Sequence, residues 1–302
     1  MSEAARTGVY LRLLGMAIIW GGTFAAARAV ALELPHFVAA VLRHVFALAV
    51  LVPLLLRSEG GACLAVSRAD LARLALLGAT GVAGYNALLF AGMAEVPATR
   101  ASLIVPLNAS VTPLLLALAG REPLGPLGLT GIAIAFVGAA IVVSRGEPGL
   151  FLSGGIGHGE LMLLGCVACW VAYTLIGRTV LARLSPIAAT TGAVAFGIMM
   201  LAVPAASEIA GDRWLSIRPD QWFELAFLGV FGTAVAFVWY YRGVMAIGAG
   251  RAAMFINLVP VFGVAIGALY LGEPLSRSLV FGGMLVVAGL VLLNVRRDAR
   301  LV

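Results

Sequence analysis

Arg43 and His44 stand inside an apolar run, with Phe37-Val-Ala-Ala-Val-Leu42 before them and Val45-Phe-Ala-Leu48 after them. If that run crosses a membrane, each charge costs about 2.5–3.5 kcal/mol on insertion scales, and such residues mark function by default. Arg43 can hold a ligand carboxylate or bridge two helices. Equally, it can bond backbone carbonyls or snorkel to an interface. His44 is the one candidate titrating group deep in such a run. No Asp or Glu is expected at mid-span, so the usual proton-carrying carboxylate is missing from the sequence reading.

The aromatic residues fall at helical spacing. Trp170 and Tyr173 are three apart and share one helix face, and Tyr85, Asn86 and Phe90 form a similar face. Trp239, Tyr240 and Tyr241 crowd one segment, and Trp20 stands in the first. An amphipathic ring-bearing ligand needs apolar walls, ring-stacking partners and a few polar handles. The handles available are the amides Asn86, Asn108 and Asn257, each of which must find a partner if it lies in hydrocarbon. Interhelical bonding is the plainer role for an amide in that setting. Asn108 with Thr112 and Pro113 suggests a kinked or unwound segment, and Asn257 with Pro260 looks like its counterpart. Pro-interrupted spans in matching places point to a binding site.

Other patterns carry no chemistry in this context. Cys166-Val-Ala-Cys169 with His158-Gly-Glu160 upstream has the look of a metal motif but falls within an apolar run. Cys63, Cys166 and Cys169 make no disulfide framework. The Gly-rich stretch 154–159 follows no strand and is no phosphate cradle, and Asn108-Ala-Ser110 is a sequon buried in a span. An enzyme in the membrane would need convergent titratable groups, and the spans offer Arg43 and His44. Neither an enzyme nor a cofactor is expected.

The elements that position these residues follow from composition. Of 302 residues, 62% are hydrophobic and 11% charged, with a mean hydropathy of +1.06. Soluble chains are about 45–50% apolar and about 25% charged, so the solvent here is largely lipid. The fold class is all-α and polytopic. A spanning helix takes roughly 20 apolar residues, and ten such runs are present, at about 13–31, 36–56, 71–92, 99–119, 124–144, 160–181, 187–207, 220–243, 250–271 and 277–295. Pro, Gly and charges mark the joints. The first run lacks a small-residue cleavage site and reads as a spanning helix rather than a signal peptide. Trp214 and Trp222 read as interfacial belt residues.

The net charge is +6, and all 20 basic residues are Arg. They stand singly at the ends of apolar runs, as topology determinants do, so nucleic acid is not an expected partner. Thirteen of them fall on the side of the amino terminus: Arg6, Arg12, Arg57, Arg68, Arg73, Arg121, Arg178, Arg183, Arg242, Arg251, Arg296, Arg297 and Arg300. Arg28, Arg100, Arg145, Arg213, Arg218 and Arg277, six in all, fall on the other side. The bias puts both termini in the cytoplasm.

The chain also repeats itself. Leu14-Gly15, Trp20 and Arg28-Ala-Val30 return 150 residues later as Leu164-Gly165, Trp170 and Arg178-Thr-Val180. At an offset of 151, Pro35 matches Pro186 and Pro53 matches Pro204. Gly78 and Gly81 match Gly229 and Gly232, Arg100-Ala101 matches Arg251-Ala252, and Glu122-Pro-Leu124 matches Glu273-Pro-Leu275. Gly131 and Gly138 match Gly282 and Gly289. The two units are 1–150 and 151–302. Each holds five spans, an odd number, so the second enters the membrane from the opposite side. Ten transmembrane helices as two inverted five-helix repeats are an architecture of secondary transporters, with the site near the midplane.

These two units, each with a Trp in its first helix and a Glu-Pro-Leu between its last two, resemble EamA domains of the drug/metabolite transporter superfamily. Within it the sequence is most similar to the YddG-type bacterial inner-membrane exporters of aromatic and other amino acids. The resemblance covers essentially the whole chain. It implies a ten-helix basket with a central cavity that moves small amphipathic metabolites out of the cytoplasm; another metabolite or a drug is the alternative cargo. The candidate substrate-binding residues are Trp20, Arg43, Tyr85, Asn86, Phe90, Asn108, Trp170, Tyr173, Trp239, Tyr240 and Asn257. The expected partners are an amino-acid substrate and the lipid bilayer, with the chain acting as a monomer. There is no Walker motif for direct ATP drive.

Overall fold

The computed structural model describes residues 3–60, 67–152, 156–209 and 217–295. Cys63, Arg213, Trp214, Arg296, Arg297 and Arg300 lie outside the described residues. Ten helices among the described residues are long and apolar enough to cross a membrane. They are α1 (Thr7–Glu33), α2 (His36–Glu59), α3 (Arg68–Glu95), α4 (Ala98–Leu118), α5 (Pro126–Val143), α6 (His158–Leu181), α7 (Pro186–Ile209), α8 (Pro219–Ile247), α9 (Arg251–Leu271) and α10 (Arg277–Asn294). Each matches one apolar run of the sequence. Helices α1 and α3 begin earlier than hydropathy alone suggests, because nothing breaks the helix across their polar first turns, and α8 runs on to Ile247. Ser67 does mark the start of α3, where its hydroxyl accepts from the Asp70 amide, an N-cap on an orphan donor.

The repeat is visible in the backbone as well as in the sequence. α3 and α8 each widen into a π-helical stretch, at Gly78–Gly84 and Phe227–Val235. The wider turn shifts hydrogen bonds by one residue and is frequent at functional sites. In α8 the Thr233 hydroxyl fills the gap, donating to the Leu228 carbonyl at 3.2 Å. Both stretches lie against the second helix of the other unit. A Cβ on Gly229 would stand 2.0 Å from the Arg43 carbonyl oxygen, and one on Gly78 would stand 2.7 Å from the Ala193 carbonyl oxygen.

The fifth helices of the units, α5 and α10, cross on glycine. A Cβ on Gly138 would fall 2.5 Å from the Gly282 carbonyl oxygen, and one on Gly131 would fall 2.7 Å from that of Gly289. Small residues let helix backbones approach closely where dispersion must hold a membrane bundle together. These four glycines are the repeat-matched pairs, met crosswise, as an inverted two-fold relation requires.

Polar contacts gather at the two ends of the bundle. At one end, Glu33 pairs with Arg218 and accepts from Gln221 at 2.8 Å. The Glu208 carboxylate accepts from the Phe37 and Val38 amides, and Glu273 accepts from those of Ala98 and Thr99, so each caps a helix N-terminus. Glu160 pairs with Arg100 at 2.9 Å and with Arg145 at 3.6 Å. At the other end, Asp70 pairs with Arg183 and Arg73, Arg178 with Glu122, and the Ser185 hydroxyl with Glu59. Successive turns thus alternate between ends, as ten crossings demand.

The break expected in α4 is present, but it sits ahead of the predicted place. Val105–Leu107 form a single 3₁₀ turn around Pro106, while Pro113 lies within the helix that follows. Pro106 lacks an N–H and its ring disfavours α geometry in the residue before it. The matching break in α9 falls at Asn257 and Leu258, between helices ending at Ile256 and beginning at Val259. At the 151-residue offset Asn257 therefore corresponds to Pro106 and Asn108 to Val259, so the two amides are not counterparts of each other.

Candidate functional site

The interior charge is built from three helices. Arg43, on α2, is 8% exposed. Its Nη1 donates to Asn86 Oδ1 on α3 at 3.0 Å, and its Nη2 reaches the Leu228 carbonyl at 3.4 Å and the Thr233 hydroxyl at 3.5 Å on α8. Asn86 is oriented in turn by its own Nδ2 donating to the Val82 carbonyl at 2.8 Å. All three acceptors are neutral. Among the described residues no carboxylate lies within ion-pair distance of Arg43, and its Nε is buried without a partner. A buried guanidinium is ordinarily paired; this one has hydrogen bonds but no counter-charge. His44, beside it, turns its Nδ1 back onto the Ala40 carbonyl at 2.6 Å.

Next to this charge stands a ladder of rings. Tyr85, the residue before Asn86, packs on Trp170 with centroids 5.3 Å apart, and Trp170 packs on Tyr173 at 5.3 Å. These are favourable aromatic spacings. The Tyr85 hydroxyl lies in the field of the Arg43 guanidinium. Tyr173 lies over Gly81 in the π-helical stretch of α3, where an added Cβ would come within 2.1 Å of its ring. All three rings are half-buried, and the Trp170 indole N–H has no partner among the described residues.

The repeat-matched ring behaves differently. Trp20 donates its indole N–H to the Gly232 carbonyl at 3.0 Å, the carbonyl lying in the π-helical stretch of α8. It also packs against Phe237 at 5.3 Å and Tyr240 at 5.8 Å. Tyr240 continues to Tyr241 at 5.9 Å, and the Tyr241 hydroxyl interacts electrostatically with that of Tyr173. One aromatic group is thus carried by α3 and α6, the other by α1 and α8.

Not every expected residue joins them. Phe90 is 0% exposed and belongs to the packed core. Trp239 lies against Gly15 of α1. Asn108 turns its amide back onto the Val105 carbonyl at 2.8 Å, satisfying the broken turn of α4. Asn257 is bound by α10, reaching the Leu290 carbonyl at 3.4 Å and accepting from Asn294 at 3.2 Å. One residue not expected from the sequence joins the site, Thr233. Thr233 was hidden because only the widened turn of α8 aims it at Arg43. Glu224, also unexpected from the sequence, is buried in α8 but lies apart from Arg43, accepting from the Tyr270 hydroxyl at 3.2 Å.

Fold and site together define a polytopic helical membrane protein built as an inverted repeat around an interior charge and rings. The chain belongs to the EamA-like transporter family, whose model matches residues 7–144 and again 157–295. It is 28% identical over 287 residues to an uncharacterized transporter, YyaM, of Bacillus subtilis, covering 94% of this chain and 92% of that one. It is 26% identical over 231 residues to a probable terminal-alkyne amino-acid exporter of Streptantibioticus cattleyicolor, covering 76% and 75%. A solved crystal structure superposes with a TM-score of 0.65 at 21% identity, covering 95% of this chain, and supports the fold.

Proposed function

We propose that this transporter is a secondary exporter of amino acids, aromatic and other neutral ones, across the bacterial inner membrane. Its two units, 1–150 and 151–302, alternate access to a central site, and both termini lie in the cytoplasm. The observation that carries the reading is Arg43: a buried guanidinium with neutral acceptors, an Nε without a partner and, among the described residues, no carboxylate within ion-pair distance. A substrate carboxylate supplies the missing counter-charge through charge-assisted hydrogen bonds. The side chain of the substrate then lies against Tyr85, Trp170 and Tyr173, with the free indole N–H as a further donor. The similarity to an amino-acid exporter agrees with this chemistry. The chain works as a monomer without a cofactor.

The test is flux in proteoliposomes with a panel of labelled solutes. Saturable phenylalanine or tryptophan transport is expected. Flux of a non-amino-acid solute, with no amino-acid transport, contradicts the proposal.

A further inference from the structure

A second recess lies on the flank of the bundle, away from Arg43. α1, α8 and α9 leave a groove of about 250 Å³ between them. Its floor is made of the small residues Gly22, Ala25 and Ala26, and its walls of Ile18, Phe227 and Ile266. Ile18 is 41% exposed and Phe223, at the rim, is 70% exposed, so the groove opens sideways to the hydrocarbon. From Ile18 to Ala26 it runs about 12 Å along the helix axis, roughly the direction of an acyl chain.

One end of this apolar groove meets a buried carboxylate and a tyrosine hydroxyl. Glu224 lines it and is 7% exposed, and its one hydrogen bond among the described residues comes from the Tyr270 hydroxyl at 3.2 Å. An ionised carboxylate accepts several hydrogen bonds, and a buried one is costly unless paired. The charged groups whose fields reach Glu224 are Asp220, Glu33 and Arg218. Arg218 is already held by Asp220 and Glu33, which raise its pKa above the ordinary value. Three carboxylates thus face one occupied guanidinium, and among the described residues no other cation acts on Glu224. Glu224 lies about 7.5 Å below the start of α8, near the headgroup level, where the exposed Trp222 of the same helix also sits.

The counterpart place, between α6, α3 and α4, is lined by different residues. Leu175 and Ile176 stand where Ala25 and Ala26 form the floor, and Ala119 stands in place of Tyr270. Arg73, in place of Glu224, is bound to Asp70 at 2.8 Å. The groove with its carboxylate, built by α1 of the first unit and α8 and α9 of the second, therefore has no residue-for-residue counterpart in the repeated fold.

We propose that this groove binds an ethanolamine phospholipid of the surrounding leaflet, its ammonium on Glu224 and one acyl chain along Gly22, Ala25 and Ala26. An ethanolamine ammonium donates three hydrogen bonds, as a lysine ammonium does. A choline headgroup has the charge without the donors, and a glycerol headgroup leaves the lipid anionic against a negative rim.

Native mass spectrometry of the full chain in detergent, incubated with phosphatidylethanolamine, phosphatidylcholine or phosphatidylglycerol of matched chains, tests this. Retention of the ethanolamine lipid is expected to exceed that of the choline lipid by about tenfold, as for a hydrogen bond to a charged group. Glu224→Gln is expected to level the two. Ile266→Trp, which fills the groove and leaves the carboxylate, is expected to abolish retention of both and decides the matter if Glu224→Gln does not fold. Equal retention of all three lipids by the wild type overturns the proposal, as does a preference for phosphatidylglycerol or an ethanolamine preference that survives either substitution.

Discussion

Trp20 and Trp170 occupy matched positions in the two units, yet their indole N–H groups have different fates, and replacing each by Phe separates architecture from binding. Trp20→Phe removes the 3.0 Å hydrogen bond to the Gly232 carbonyl and leaves that buried oxygen with one partner fewer. The lost bond costs about 1 kcal/mol. The smaller ring, between Phe237 and Tyr240, also leaves a void that brings the total to about 1–3 kcal/mol. For a chain of this size that is a fall in Tm of about 2–4 °C per kcal/mol, readable by thermal unfolding in detergent. Transport by this variant should persist, since α1 still packs against α8. Trp170→Phe removes an N–H with no partner among the described residues and keeps a ring for Tyr85 and Tyr173 to stack on. Its Tm should change by under about 1 kcal/mol equivalent, while the KM for aromatic substrates rises about fivefold or more if the N–H donates to substrate. The crossed pattern is the signature. If both substitutions lower Tm equally and leave KM alone, the asymmetry between the units is packing and nothing more, and the reasoning fails.

Three further outcomes follow from the contacts. Gly138→Ala places a methyl 2.5 Å from the Gly282 carbonyl oxygen. Backbone must shift, at a cost of about 1–3 kcal/mol or more, seen as reduced monodisperse yield by size exclusion. Asn257→Ala removes the α9–α10 bridge and should lower stability by about 1–2 kcal/mol while leaving substrate preference unchanged in flux assays. Gly81→Ala drives its methyl into the Tyr173 ring and should weaken aromatic transport. Pairing it with Tyr173→Ala should restore the melting temperature but not the aromatic preference.

Spans, repeat and inversion were legible because each rests on local sequence: hydrophobic length, turn residues and positional matches such as Gly131 with Gly282. The partnership of Arg43 with Asn86 was half legible, since both were singled out but nothing in sequence joined them. The widening of α3 and α8 left no local signal beyond glycine and threonine, so the role of Thr233 became visible only with the bundle in place. Asn257 shows the opposite failure. Its place beside a break suggested a ligand site, but the long-range partner Asn294 decides its orientation. Glu224 was hidden by its nearness to the polar start of α8, although its side chain is buried against Tyr270.

The most direct test of the central claim is binding of phenylalanine and of phenylalaninamide, which lacks the carboxylate, to the purified wild type and to Arg43→Gln. A hydrogen-bonded charge pair in this setting is worth about 1.5–3 kcal/mol. The wild type should therefore prefer phenylalanine by roughly 10- to 100-fold, and Arg43→Gln, folded by size exclusion, should bind the two alike. A wild type that does not distinguish them, or a folded Arg43→Gln that still does, contradicts the assignment of Arg43 as the carboxylate anchor.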